Sequence, residues 1–414
     1  MRSSSGASTD WIETDIGSLL RAGGGSIKTG PFGTALKASE YSRSGPPLIS
    51  VGEIGYGRFT VHAETPRVPK EVTDRLPEYL LEAGDIVFAR KGSVDRSAVV
   101  SAAEVGWFLG SDGIRLRPPS CCCALFLSYH FRSPATRSWL LQHATGSTMA
   151  SLNQGTIERV PIRLPPLTEQ RAIAAVLGAL DEKINANRHM NATLEALARN
   201  IYASTPAEDF FDATLGELCE VFDGPHATPN TVDEGPIFLG ISNLSDGQLD
   251  LSDTRHVTEE DYTRWTRRVT PSFGDVLFSY ETRLGQAAWL PAGIKCCLGR
   301  RMGILRADAE KVPPIILLHA YLSRAFQETI REKTVHGSTV DRIPLVEMPS
   351  FAIPIPSPER CGLIAPVLLA LRDRICVNAA TMDTLDKLRD LLLPKLLSGL
   401  LRVRDAEHMI GDAA

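Results

Sequence analysis

Eight cysteines offer thiolates for metal binding or nucleophilic attack, but three are adjacent at Cys121, Cys122 and Cys123 and two more at Cys296 and Cys297. That spacing forms neither the paired CxxC knuckles of a zinc site nor a disulfide framework, and it reads as small buried hydrophobes. His62, His130, His143, His189, His226, His256, His319, His336 and His408 are scattered, with no HxxxH or HExxH pair to hold a metal. No serine stands in GxSxG, there is no GxxxxGK[ST] phosphate cradle, and Gly23-Gly-Gly25 lacks the strand and following acid of a dinucleotide fingerprint. Asp85 and Asp275 each follow a glycine and precede a hydrophobic run, a place where a metal-binding carboxylate could sit. A turn-forming Asp before a strand is the plainer reading. The expectation is a chain with no catalytic residues, no metal and no cofactor of its own.

The elements that carry these residues come from a globular sequence. At 414 residues and 43 % hydrophobic content the chain has room for two or three domains with sizeable cores. Its first ten residues have no apolar signal-peptide core and no window is long and apolar enough for a membrane span, which points to the cytoplasm. A formal net charge of −5 argues against indiscriminate coating of nucleic acid. Residues 1–160 hold 17 Lys+Arg against 15 Asp+Glu, whereas residues 209–355 hold 14 against 21. Any contact with polyanions must therefore use local basic patches.

An internal repeat organises the chain. Gly84-Asp-Ile-Val-Phe-Ala-Arg90 answers to Gly274-Asp-Val-Leu-Phe-Ser-Tyr280, and Gly146-Ser-Thr148 to Gly337-Ser-Thr339. Val160-Pro-Ile-Arg-Leu-Pro-Pro166 answers to Phe351-Ala-Ile-Pro-Ile-Pro356, and Ile173, Val176, Leu177, Leu180 and Ile184 answer to Ile364, Val367, Leu368, Leu371 and Ile375. Four matches in one order and at nearly constant offset indicate a duplicated unit.

Each copy opens with short β-patterned stretches between Gly-, Pro- and Asp-rich turns. A short amphipathic helix follows, marked by Phe131, Ala135 and Trp139 and by Leu322, Phe326 and Ile330, with Pro134 awkward for the first copy. Each copy ends in a long helix. In the first, Thr168 is placed to cap a helix running on from Glu169, with a stripe of Leu177, Leu180, Ile184, Leu194, Ala198 and Ile201 and with Asn187 and Asn191 within it. In the second, Leu368, Leu371, Ile375 and Leu385 continue onto Leu388, with Asn378 in the stripe, and Pro366 suggests a start about one turn later than Pro358. Such stripes need a partner, and the two helices are expected to pair as an antiparallel coiled coil, the asparagines favouring one register. The expected class is α+β, with two tandem mixed α/β reader domains at 1–166 and 206–357, long helices at 167–205 and 358–404, and a tail at 405–414. About 25 residues of helix span roughly 37 Å, close to one turn of B-DNA. Two readers so spaced would read half-sites separated by a fixed gap.

The organisation resembles the specificity subunit of type I restriction-modification systems, from about Trp11 to Val403. Ile162-Arg-Leu-Pro-Pro-Leu-Thr-Glu-Gln-Arg-Ala-Ile173, continuing into Leu177-Gly-Ala-Leu-Asp-Glu-Lys-Ile184, is similar to that family's junction between target-recognition domain and conserved helix. Leu80-Leu-Glu-Ala-Gly-Asp-Ile-Val-Phe-Ala-Arg90 and Leu391-Leu-Leu-Pro-Lys-Leu-Leu-Ser-Gly399 resemble its core strand and closing helix. The second copy departs from the pattern, with Pro358-Glu-Arg-Cys361 where the first has Thr168-Glu-Gln-Arg171. The resemblance implies a non-catalytic subunit that binds a bipartite, asymmetric double-stranded DNA site. It also implies two adenine-methyltransferase partners and, through them, motor-nuclease subunits, with S-adenosylmethionine, ATP and magnesium on those partners.

Variable loops leaving a strand are where such reading chemistry is expected. In the first reader these are Arg90, Lys91 and Ser93, with Lys28 and Thr29 in an early Gly-rich loop. In the second they are Tyr280, Thr282 and Arg283, with His226, Arg264, Arg267 and Arg268 for phosphate contact. A specificity subunit of a methylation-only complex, a coiled-coil scaffold that reads no DNA, and an enzyme with an unrecognised active site remain as alternatives.

Overall fold

The computed structural model describes residues 11–413 apart from Ser147, His226, Ser338 and Thr339. Chain contacts divide it into two units: Asn185–Asp383, and the residues before Asn185 together with those from Thr384. The architecture is α+β, and each long helix gives one of its halves to each unit.

In the first unit, strand Ile86–Ala89 is buried along its whole length and lies between Gly113–Arg117 and Ser97–Val99, both antiparallel to it. Ser26–Thr29 and Tyr56–Gly57 complete the five-stranded sheet at its edges. Ile12–Asp15 pairs antiparallel with Pro161–Leu164, the proline-punctuated run that leads into the long helix. Prolines suit this strand because it has only one neighbour, so their missing N–H groups cost no ladder bond. The second unit repeats the plan: Val276–Ser279 lies between Met302–Ala307 and Ala287–Trp289, and Phe210–Thr214 pairs with Ala352–Pro356. Val232–Leu239 runs parallel to Cys296–Leu298, as Ser42–Ile49 runs beside Phe108–Leu109 in the first unit.

Several local expectations are corrected. The single amphipathic helix is two helices in each unit, Ala124–Arg132 then Pro134–His143, and Pro314–Leu322 then Arg324–Lys333. The breaks fall at Ser133 and Ser323, whose hydroxyls accept from the amides of Thr136 and Phe326. Pro134 is thus no defect; it occupies the first position of a helix, where no N–H is needed. Lys28 and Thr29 lie on strand Ser26–Thr29, not in a loop, because the preceding helix already ends at Gly24, which takes φ 77°.

The first long helix spans Leu167–Ala203 and the second Pro358–Leu397, 37 and 40 residues. Thr168 lies inside the first turn rather than capping it; the Pro166 carbonyl accepts from the amides of Glu169 and Gln170. The second helix starts at Pro358, not near Pro366, since Ser357 Oγ accepts from the Arg360 amide and Cys361 Sγ donates to the Pro356 carbonyl. Pro366 sits on the exposed face, where water can satisfy the carbonyl that its missing N–H leaves free. Val403–Ala413 forms a further helix in place of a tail.

Within the second unit the helices meet through buried polar groups. Asn378 Nδ2 donates to Asn191 Oδ1 at 2.8 Å, and Asn191 Nδ2 to the Ile375 carbonyl at 3.2 Å. Arg372 and Glu195, 2 % and 3 % exposed at the side chain, pair at 2.6 Å. Leu368 and Ile375 are buried; Leu371 and Ile201 pack against the same core, while Leu194 is half-buried. Within the first unit Asp181 accepts from Arg389 at 2.9 Å, Arg132 at 2.7 Å and Tyr129 at 2.8 Å. Burial pushes its carboxyl up, but Arg132 and Arg389 outweigh that and hold it below the ordinary carboxylate range. Leu177, Leu180, Ile184 and Leu385 are buried in this unit, and Leu388 half-buried.

His319, 3 % exposed, lines a cavity of about 470 Å³ in the second unit, and its Nε2 has no hydrogen-bond partner among the described residues. Burial, then the charges of Arg372 and Arg199, push its pKa down to about 3. The unfolded chain takes up this proton near pH 6.5 and the folded unit does not. The contribution of a neutral His319 is therefore complete above pH 6.5 and declines as the pH falls from 6.5 towards 3. Chemical denaturation at pH 7 and pH 5 should show a loss of roughly 2 kcal/mol attributable to this group, and the difference should shrink by that amount in His319→Leu.

Candidate nucleic-acid interface

The sheets of the two units are anchored at one end by the same device. Gly84 and Gly274 take φ 88° and 87°, turning the chain into the central strand. The next residue, Asp85 or Asp275, is nearly inaccessible and accepts two hydrogen bonds from one guanidinium. Arg117 reaches Asp85 at 2.7 and 2.8 Å, and Arg306 reaches Asp275 at 2.9 and 2.6 Å. The same carboxylates also accept from the backbone amides of Glu82 and Ser272. These aspartates are structural anchors. Among the described residues no group of three or more His, Cys, Asp or Glu could hold a metal ion.

The opposite ends of the same strands differ between the units. In the first, Ala89 pairs with Gly113 and Thr29 with Ile114, which brings Thr29, Arg90 and the Ser111-Asp112 turn to one edge. Arg90 donates to the Ser111 carbonyl at 3.3 Å and lies over the Phe32 ring at 5.1 Å. Lys91 pairs with Asp112 at 3.1 Å. Ser93 is half-buried in the following loop. Thr29 Oγ1 accepts from Gln154 Nε2, whereas Lys28 turns to Glu78 at 3.6 Å and to the Tyr79 ring. Alternation along a strand sends these two neighbours to opposite faces, so only one of them can share a surface with Arg90.

In the second unit Tyr280 is 5 % exposed and belongs to the apolar core, its phenol pushed up by burial and then by Asp223. A side chain so enclosed is not available to a groove, and its assignment as a base contact is withdrawn. Thr282 is exposed in a left-handed conformation, φ 69°, and Arg283 donates to the carbonyls of Ile241 and Ser242. Arg264, on helix Glu259–Trp265, and Arg267 and Arg268 just beyond it are exposed and occupy a different element. His226 lies outside the described residues.

Sequence reasoning missed a group beside Thr282 and Arg283. Arg255, Arg300 and Arg301 line a cavity of about 280 Å³ with Phe238, Ser242 and Thr228. Arg301, also at φ 69°, pairs with Glu281 at 3.0 Å and donates to Thr282 Oγ1 at 3.3 Å. Strand pairing aligns Leu298 with Leu109, each being the partner at the end of its parallel pair, so Arg301 corresponds to Asp112 and Glu281 to Lys91. The same two loops are thus joined by an ion pair in both units, with the charges exchanged. Only the repeat, extended beyond its visible matches, carried a signal for this.

The geometry defines a duplicated α+β fold in which a common anchor supports different surfaces. The family described as the type I restriction modification DNA specificity domain matches residues 27–196. A putative type I restriction enzyme specificity subunit, MjaX, of Methanocaldococcus jannaschii is 23 % identical over 359 residues, covering 80 % of this chain and 81 % of that one. The MjaVIII specificity subunit of the same organism is 21 % identical over 306 residues, 68 % and 71 % of the two chains. The fold is also that of a type I restriction-modification S subunit from M. genitalium, with a TM-score of 0.59, 16 % identity, and coverage of 94 % of this chain and 96 % of that one. The chain is thus similar to type I restriction-modification specificity subunits, and its residues 27–196 carry the match to that family's domain.

Asp85→Ala and Asp275→Ala should each remove the buried carboxylate that holds a half-buried guanidinium and cost roughly 2 kcal/mol in urea unfolding. Stability equal to that of the unaltered chain would contradict the anchor role.

Proposed function

We propose that this chain is the DNA-recognition subunit of a type I restriction-modification complex and that it reads a bipartite, asymmetric site through two reader domains, 1–166 and 206–357. The observation that carries the reading is the contrast within the duplicated sheet. Asp85–Arg117 and Asp275–Arg306 keep one end constant, while the other end presents Arg90 and Lys91 in one unit and Thr282, Arg283 and Arg300 in the other. A constant scaffold with unlike loops is what two different half-sites require.

The long helices, in this reading, pair as an antiparallel coiled coil. The order of partners supports it: Asp181 with Arg389, Asn191 with Asn378 and Glu195 with Arg372, one number rising as the other falls. Leu177, Leu180, Ile184, Leu194 and Ile201 from one helix and Leu368, Leu371, Ile375, Leu385 and Leu388 from the other form its seam. The paired helices tether two adenine-methyltransferase subunits and, through them, the motor-nuclease. S-adenosylmethionine, ATP and magnesium act on those subunits and not on this chain.

The complex of this chain with its methyltransferase partner, offered a randomised duplex library, should enrich two short motifs at one fixed separation. Retention of duplexes without any motif would sink the proposal in favour of a scaffold. Arg283→Ala should alter preference at one half-site only, whereas Arg267→Ala should weaken binding to all sequences alike, both read by sequencing the retained DNA.

A further inference from the structure

The second unit has fewer cations than anions over residues 209–355, yet three of its arginines converge on one cavity. Their roles divide. Arg301 is committed to the Glu281 carboxylate and Thr282 Oγ1, and nearby Arg283 gives one nitrogen, Nη1, to backbone carbonyls. Arg255 lies over the Phe238 ring at 5.1 Å, and a Cβ placed on Gly240 would stand 3.9 Å from its Nη2. Arg300 is exposed, and among the described residues neither Arg255 nor Arg300 forms an ion pair. Two guanidiniums with unspent donors thus face one cavity of about 280 Å³, which leaves room for an anion with tetrahedral oxygens.

The surroundings hold that arrangement in place. Thr282 and Arg301, the two residues joined across the rim, both adopt the left-handed conformation that side chains avoid, φ 69° each. Such conformations persist where neighbouring contacts impose them, and they gather at ligand clamps. The hydrogen bond between these two and the Glu281 ion pair keep the Arg301 backbone in that conformation and so fix the direction from which Arg300 leaves the chain.

The first unit lacks the cations. Val68 donates its amide to the Pro46 carbonyl just as Val257 donates to that of Pro236, which aligns Arg255 with Pro66. Alignment of Leu298 with Leu109 places Arg300 at Ser111. The arginine pair is therefore a property of the second reader and not of the duplicated scaffold.

We propose that Arg255 and Arg300 form a phosphodiester clamp which fixes the DNA backbone on the second reader, and that the first reader has no counterpart of it. This rests on the DNA-reading function proposed above. A phosphate held here sets the register of the duplex and is blind to base identity, because a phosphodiester is the same at every step.

The test is the salt dependence of binding by the complex of full-length chain and methyltransferase to a duplex selected from the library, for the unaltered chain, Arg255→Ala, Arg300→Ala and Ser111→Ala. Loss of one phosphate contact should flatten the slope of log K against log salt by about 0.9 in Arg255→Ala and in Arg300→Ala, lower affinity for all sequences alike, and leave Ser111→Ala on the original slope. Both arginines are exposed, so thermal unfolding should match that of the unaltered chain and confirm that a changed slope is not a folding defect. An unchanged slope in both arginine variants overturns the clamp while leaving the DNA-reading function standing. A changed base preference at one position with the slope retained also overturns it, in favour of base-edge contact. Absence of any binding by the unaltered complex removes the DNA-reading function itself, and the clamp with it.

Discussion

The requirement that a buried charge be met by an opposite one constrains this molecule more than any other. Arg372 and Glu195 are almost wholly enclosed, and Arg372 also donates to the Gly247 carbonyl. Removing one partner from such a pair costs roughly 3–5 kcal/mol, whereas an apolar pair of the same shape would often be equally stable. The pair therefore contributes less to stability than to choice. Sliding either helix by one residue would carry Arg372 or Glu195 out of reach and leave the other unmatched. The asparagine contact beside it, Asn378 to Asn191, penalises the same slip. Asp181, with Arg132, Arg389 and Tyr129, does the equivalent work in the other unit.

A fixed register matters because of what hangs from the helices. Each reader enters its long helix from a proline-bearing strand, Pro161–Leu164 or Ala352–Pro356. Gln170 ties the first entry point, accepting from the Cys123 amide and donating to the Pro165 carbonyl. In the second copy Cys361 stands where Gln170 stands in the first, five residues after Pro356 as Gln170 is five after Pro165, and donates to the Pro356 carbonyl. The departure from the repeat at this point thus changed the groups used and kept the connection of strand to helix.

The same economy governs the readers. The Asp85–Arg117 and Asp275–Arg306 pairs are common to both, and the loop ion pair is kept with its charges exchanged, Lys91–Asp112 against Glu281–Arg301. An exchange of signs preserves the attraction between two loops while changing the charge that each loop presents outward. Cys296 and Cys297 are buried beside this region, and burial pushes both thiols up to about 12.

Much of the plan was written in short-range patterns. The long helices and the duplication followed from periodicity and spacing, since those express which residues repeat along a helix or strand. Other features depended on which distant segments meet. Tyr280 shares its repeat position with Arg90, but the strand before it, Val276–Ser279, is buried on both faces, so no alternation showed that the tyrosine would turn into the core. The prolines at 134 and 366 looked like obstacles because their solutions, a new helix start in one case and an exposed face in the other, depend on capping and solvent contact. The cluster of Arg255, Arg300 and Arg301 was illegible, because its members come from separate strand ends. By itself the amino-acid sequence determined that two like units with long amphipathic helices would form, for local periodicity dictates which faces must be buried. Only the tertiary structure decided which charges would meet and which arginines would be left to face outward, because that depends on contacts between residues far apart in the chain.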